Sequence, residues 1–376
     1  MTSNLTYIML YPNIVPVRGF NRSVIMDLYK GKFLFVPNYF CDFLIANKNE
    51  NLQRSSFLNL AQSEEDRQEI EALLYELFSQ DYLLEADPEL IEQLRIEVKD
   101  QTADALINDC ILEISQVSDW NIAGFLSDIN ILGVKFLEIR FLDAVSFETQ
   151  LDIIQAALED HSIEILHCIV PFSETIQQII TEKLLGFDRL SQLTIYNTVS
   201  RFEIDTPFLI DFTSQESMDA SNCGCISPRY FSYSVSGYYT NRKNNNCLAN
   251  KLSIDQFGNL RNCPSHKKSF GKFGVGSPAQ VIQLEEFKKE WHITKESILV
   301  CSDCEFRWMC SDCRVFIQDE ANPLSKPSKC GYNPYISKWN WEAGYLTEDQ
   351  TGIQINGNHV SIDTEKLNQL NLLLWA

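Results

Sequence analysis

Apolar positions in the first ninety residues come as short runs before they come at helical spacing. Tyr7–Leu10 and Ile14–Val17 are apolar runs separated by Pro12 and Asn13, and Ser23–Leu28 and Phe33–Val36 are separated by Lys30-Gly31, a tight-turn pair. Ser63 stands where a helix cap is needed, and Asp66, three residues on, supplies the other half of a capping box. Ile70, Leu73, Leu74, Leu77 and Phe78 then follow helical spacing, and Tyr82–Leu84 returns as a strand.

A hairpin, then helices, then a closing strand is the order of a winged helix, so residues 1–90 are expected to form a winged-helix-like unit. Residues 91–215 alternate instead. Ile111–Ile114, Val134–Leu142, Ile163–Val170, Leu193–Tyr196 and Phe208–Phe212 read as strands. Between them lie helical patterns on Ile122, Phe125, Leu126 and Ile129 (with Ser118 as the expected cap), on Phe147, Leu151, Ile154 and Leu158, and on Ile176, Ile179, Ile180 and Leu184. Repeated β-α units predict an α/β fold with a parallel sheet and right-handed crossovers. About four repeats are too few for a closed eight-stranded barrel, so a partial β/α barrel or open sheet is expected. Residues 216–345 lose this periodicity and are rich in Cys, Asn, Ser and Lys. In 346–376, Asn356-Gly357 between alternating apolar residues signals a hairpin, and a Leu-rich helix follows.

Composition changes the picture in two ways. The net charge of −20 and pI of about 4.7 count against nucleic acid or an anionic membrane as partner, since both would repel the chain. No signal peptide and no apolar run near the ~20 residues of a membrane span is visible, which predicts a cytoplasmic protein. In a reducing compartment, clustered cysteines point to metal before disulfides. Of the 12 cysteines, Cys41, Cys110 and Cys168 lie singly in apolar surroundings and read as core residues. The other nine fall between Cys223 and Cys330.

Those nine carry the chemistry. Cys301-Ser-Asp-Cys304 and Cys310-Ser-Asp-Cys313 are two CxxC units five residues apart, followed by Cys330. Upstream, Cys247 and Cys263 flank Gly258 in the pattern C-x10-G-x4-C. Thiolates bind soft metals, and a CxxC turn presents two sulfurs to one centre. Disulfides, a zinc ribbon, one iron–sulfur cluster or two are the competing readings. A ribbon usually separates its CxxC pairs more widely, and seven spaced cysteines exceed one tetrad and fall one short of two.

The pattern resembles the seven-cysteine signature of SPASM domains, which follow radical-SAM barrels. That family usually has three residues, not two, between its fifth and sixth cysteines. The resemblance implies two [4Fe-4S] clusters, one on Cys301, Cys304, Cys310 and Cys330, the other on Cys247, Cys263 and Cys313 with a fourth ligand upstream. Cys223 or Cys225 is the candidate for that ligand, with Cys223 favoured by its Cys-Gly context. The CxxxCxxC motif of a SAM-binding cluster is absent: the loop after the first barrel strand reads Ser115-Gln-Val-Ser-Asp-Trp120. The Gly-Gly-Glu of the family is also absent, and that stretch reads Glu138-Ile-Arg-Phe-Leu-Asp-Ala. No SAM is therefore expected, and the barrel is expected to be a degenerate radical-SAM-like one.

Pro16-Val-Arg-Gly-Phe-Asn-Arg-Ser23 with Asp27-Leu28, Asn246-Cys-Leu-Ala-Asn250, Ile254-Asp255, Asn262-Cys-Pro-Ser265 and Asp303-Cys-Glu-Phe-Arg307 resemble a narrower family, the SPASM-domain peptide maturases of grasp-with-SPASM systems. That implies a precursor peptide and an ATP-grasp ligase as partners, with peptide recognition in the winged-helix-like unit. The chain would be an accessory maturase without SAM radical chemistry. A cluster-dependent redox enzyme acting on the peptide itself and a zinc-bound scaffold are the alternatives. His266 reads as a donor near a cluster or as a surface residue. Arg307 and Arg314 read as donors to sulfide or a peptide carboxylate, or as solvated side chains. No P-loop, dinucleotide fingerprint or G-x-S-x-G elbow is present.

Overall fold

A computed structural model of the protein describes residues 6–94, 106–218 and 222–375. Strands β1 (Tyr7–Leu10), β2 (Ile14–Val17), β3 (Ser23–Asp27) and β4 (Lys32–Val36) precede helices Asn38–Ala46, Arg54–Leu58 and Glu64–Ser79, and β5 (Leu83–Ala86) closes the unit. β2, β3 and β4 form an antiparallel sheet, and β1 pairs with β5. Gly31, with φ +62, makes the β3–β4 turn. Both halves of the Ser63–Asp66 capping box form.

β3 is buried along its whole length because both its faces are covered. Ile25, with Ile14 and Val36, faces the helices at Phe40, Phe57, Ile70 and Leu74. Val24 and Met26, with Val17, face Phe306, Met309, Tyr332 and Trp339 of the cysteine-rich region. Strand alternation thus makes this small sheet the layer between its own helices and the cysteine lobe.

The central sheet has eight strands and is mostly parallel. β6 (Asp109–Ile114), β7 (Phe136–Phe141), β8 (Ile165–Pro171), β9 (Leu190–Tyr196) and β10 (Leu209–Phe212) run parallel in sequence order. β11 (Lys251–Ile254) adds parallel to β6, and β12 (Asn259–Arg261) and β13 (Gly271–Lys272) follow antiparallel. The sheet therefore runs on into the cysteine-rich region. Cys110, Leu112 and Ile114 of β6 and Cys168 of β8 enter the core under helices Ile122–Ile131 and Ala144–Leu158, while Cys41 lies in the N-terminal core.

Two local expectations are corrected. The helix at Ile122 is capped by Asn121, whose Oδ1 accepts from Gly124 N, because the Ser118 hydroxyl is taken up by Ser115 N and Gln256 O. The helix at Ile176 makes one α turn and continues as a π turn over Ile180–Leu184. Near the C-terminus, β14 (Tyr332–Asn333) and β15 (Lys338–Trp339) form one hairpin, and β16 (Ile353–Asn356) and β17 (His359–Ile362) another. Asp363 caps the last helix, Thr364–Leu374. Among the described residues no helix is long and apolar enough to cross a membrane.

Candidate metal centre

The first CxxC unit begins in a short 3-10 turn, Cys301–Asp303, after Val300 in left-handed conformation at φ 67. Cys304 N donates to Cys301 O, and Phe306 N points at Cys304 Sγ at 3.4 Å. An isolated bridge between Ile226 and Cys330 brings the distant Cys330 alongside. As a result Cys301, Cys304, Cys310 and Cys330 line one cavity, together with Lys295, Lys326 and Arg307.

The remaining thiols meet elsewhere. Cys247 interacts electrostatically with Cys313 and Cys223, and Cys263 with Cys247 and Cys223. Gly224 has φ +75, and a Cβ there would stand 3.1 Å from Cys313 Sγ, so the Cys223-Gly224 backbone lies directly on that sulfur. Cys225 is exposed. The eight thiols thus form two groups of four: Cys301, Cys304, Cys310 and Cys330, and Cys223, Cys247, Cys263 and Cys313.

Burial pushes Cys301 and Cys263 up to about 12 and Cys310 to about 11, and raises Cys247, Cys304 and Cys313 as well. Desolvated thiols facing one another resist ionising, and binding a cationic centre supplies the charge that releases their protons. Among the described residues no group of three or more His, Cys, Asp or Glu side chains is placed to hold a single metal ion. Four thiols lining one cavity are a donor set that suits a soft, thiophilic centre.

Hydrogen bonds lock both loops. Asn245 Oδ1 accepts from Cys247 N and Leu248 N, and its Nδ2 donates to Asp312 Oδ2 at 2.5 Å. Asp312 is also held by Arg314 Nη2 at 2.7 Å. Asn262, beside Cys263, donates to Leu248 O and Lys251 O and accepts from Trp291 Nε1. Gly258 has φ +82 at the β11–β12 turn, and a Cβ there would lie 3.2 Å from Trp120. That accounts for the glycine between Cys247 and Cys263.

Other expected residues have defined places. Arg314 is buried and donates to Pro323 O and Ser325 O as well as Asp312, so it is not a solvated arginine. Arg307 donates to Arg18 O and Cys304 O. His266 Nε2 lies 3.1 Å from Glu290 Oε2. The buried Lys295 and Lys326, and Asp312 with Asn245, escape the sequence reading. One signal was available: both CxxC units read Cys-Ser-Asp-Cys, and both aspartates are used, Asp303 accepting from Tyr335 Oη at 2.7 Å.

The mouth of the sheet near β6 is closed by β11–β12. Gln256 O accepts from Ser118 Oγ and Trp120 Nε1, and Gln256 Oε1 accepts from Ser115 Oγ at 2.7 Å. Where the Gly-Gly-Glu was sought, Arg140 Nε donates to Glu138 Oε1 at 2.6 Å, and Asp143 caps the helix at Ala144. His167 and Glu113 flank this pair on neighbouring strands, and the Arg140 charge also bears on Cys223.

The chain is similar to SuiB of Streptococcus suis. SuiB bound to S-adenosylmethionine aligns with 85% of this chain and 98% of its own at 9% identity and a TM-score of 0.29. SuiB bound to its precursor peptide SuiA aligns over the same shares at 9% identity and a TM-score of 0.28. A heterocyclase in complex with substrate and cofactor is similar over 41% of this chain and 22% of its own, at 18% identity and a TM-score of 0.18. These likenesses are too distant to assign a function. No protein-family model and no curated protein matches the chain.

Proposed function

We propose that the protein is an accessory maturase for a ribosomally synthesised precursor peptide. It binds the peptide through its N-terminal unit, holds two [4Fe-4S] clusters in its cysteine lobe, and acts in the cytoplasm beside an ATP-grasp ligase, without SAM radical chemistry. The observation that carries this reading is the gathering of eight thiols into two groups of four. It joins the resemblance of the cysteine spacing to SPASM domains.

When bound, such clusters store and pass single electrons. Four thiolates per cluster leave no iron open to substrate, so the chain's own residues do the binding and positioning. Among the described residues β4 pairs with β3 alone, so its other side offers an edge to which an extended peptide can add as a strand. Phe35 on β4 is partly exposed beneath the Arg22 guanidinium, 3.6 Å from its ring centroid. Phe33 and Phe35 both contact Phe306, two residues after Cys304. A peptide on this edge would lie beside the first thiol group.

The reading is tested on anaerobically purified protein by counting iron, zinc and acid-labile sulfide. About eight irons and eight sulfides per chain are expected for two cubanes. Binding of a labelled precursor peptide encoded beside the gene is measured with wild type and with Phe35→Asp. Zinc without sulfide removes the clusters from the account, and equal affinity of the two proteins removes the β4 edge.

A further inference from the structure

Two lysines are almost fully buried beside the first thiol group, and lysine is rarely buried without strong compensation. Lys295 Nζ donates to Ser311 O at 2.7 Å and lies 3.5 Å from Asp312 Oδ1. Lys326 Nζ donates to Tyr332 O at 2.6 Å and to Glu348 Oε1. Both line the cavity that Cys301, Cys304, Cys310 and Cys330 line. The paired carboxylates offset the cost of burying each ammonium.

Near the first group, Asp312 serves both Lys295 and Arg314, so one carboxylate faces two cations. Arg307 lines the same cavity, and its hydrogen bonds go to two carbonyls. Glu305, next to Cys304, is paired with Arg22, and Lys326 with Glu348. Asp303 and Glu296 bear on Arg307 in turn, so what marks this group is the pair of ammonium groups buried in the cavity wall itself. Near the second group stand Lys251 and Arg140, facing Asp109, Glu138 and Glu113, and Lys329, whose Nζ donates to Cys223 O. Adding an electron to a cluster adds negative charge, which nearby buried cations stabilise and carboxylates oppose.

Resting on the two-cluster reading, we infer that Lys295 and Lys326 set the reduction potential of the cluster held by Cys301, Cys304, Cys310 and Cys330. Both lysines are positioning residues: they touch no substrate and act through the charge they place beside the cluster.

The test is a dithionite redox titration of the full-length, anaerobically reconstituted protein, followed by electron paramagnetic resonance after iron and sulfide are counted. Two midpoints are expected in wild type, and the one that persists in Cys223→Ser belongs to the cluster held by Cys301, Cys304, Cys310 and Cys330. Lys295→Met and Lys326→Met should each lower that midpoint and leave the other in place, while Lys295→Arg should keep it. Glu348→Gln, which removes the carboxylate facing Lys326, should shift the same midpoint upward, and it keeps the inference testable should the methionine variants fail to fold. An unchanged first-cluster midpoint in variants with full iron and sulfide, or movement of the other midpoint instead, overturns the inference while leaving the clusters intact. Wild-type protein holding zinc without sulfide overturns the cluster reading itself, and the metal count shows this before any potential is measured.

Discussion

Arg22 Nε donates to Glu305 Oε1 at 2.9 Å, joining the N-terminal unit to the residue that follows Cys304. Glu305 is fully buried and also accepts from the Tyr332 hydroxyl. Around this pair Phe20 N donates to Asp303 O at 2.7 Å, and a Cβ on Gly19 would stand 2.8 Å from Glu305 Cβ. The two stretches Pro16–Ser23 and Asp303–Arg307, far apart in sequence, are therefore two sides of one contact.

Arg22→Leu leaves the Glu305 carboxylate buried without its cation, which should cost about 3–5 kcal/mol. Urea unfolding of the reconstituted protein measures it. The double variant Arg22→Leu with Glu305→Leu should regain more than half of the loss, since the stranded charge is gone. Equal losses in single and double variants would show that the pair contributes through packing alone.

Gly258→Ala should destabilise the β11–β12 turn. Its φ of +82 is strained for any side chain, and the new Cβ would meet Trp120 at 3.2 Å. A loss of about 1–3 kcal/mol is expected. Gly357→Ala is the control, because it has φ +58 with open space around its Cβ position and carries the backbone strain alone. Thermal unfolding that places Gly258→Ala no lower than Gly357→Ala would remove the Trp120 contact from the explanation.

Much of this architecture was legible in the chain. The Ser63–Asp66 cap, the β-α alternation and the Asn356-Gly357 hairpin each rest on signals a few residues long. The cap at Asn121 was not, because what occupies Ser118 is Gln256, more than a hundred residues away. β11 was hidden for the same reason: Lys251–Ile254 is too short to show a period, and its partner strand β6 lies far upstream. Spacing marked the cysteines, but nothing in the sequence around Lys295 and Lys326 signals that the fold encloses them.

Arg140→Met should weaken the fold in a pH-dependent way. Burial alone would raise the Glu138 carboxyl, but His167 and the Arg140 charge outweigh it and hold it at about 2. Its folded value is thus below its ordinary 4.5, so the group contributes stability above that ordinary value and loses it as pH falls toward 2. Removing Arg140 should cost about 3 kcal/mol at neutral pH, and the gap to wild type should narrow between about pH 5 and pH 3. Urea midpoints at several pH values check this, using apoprotein for both so that cluster loss in acid does not enter. A gap that stays constant across that range would mean Glu138 is not the partner that matters.

Cys223→Ser and Cys225→Ser separate two neighbouring thiols with different surroundings. Cys223 interacts with Cys247 and Cys263, and its own glycine lies against Cys313, whereas Cys225 is exposed. Cys225→Ser should keep about eight irons and eight sulfides per chain, and Cys223→Ser should fall toward about four of each. The remaining cluster should keep its resonance signal, because Cys301, Cys304, Cys310 and Cys330 lie apart from the change. Should Cys225→Ser lose the iron instead, the second group would have to rebuild around a thiol that now faces solvent. If both variants keep full iron and one iron becomes exchangeable in neither, Cys223 is not a ligand, and a site without a fourth thiolate would reopen direct chemistry at the cluster.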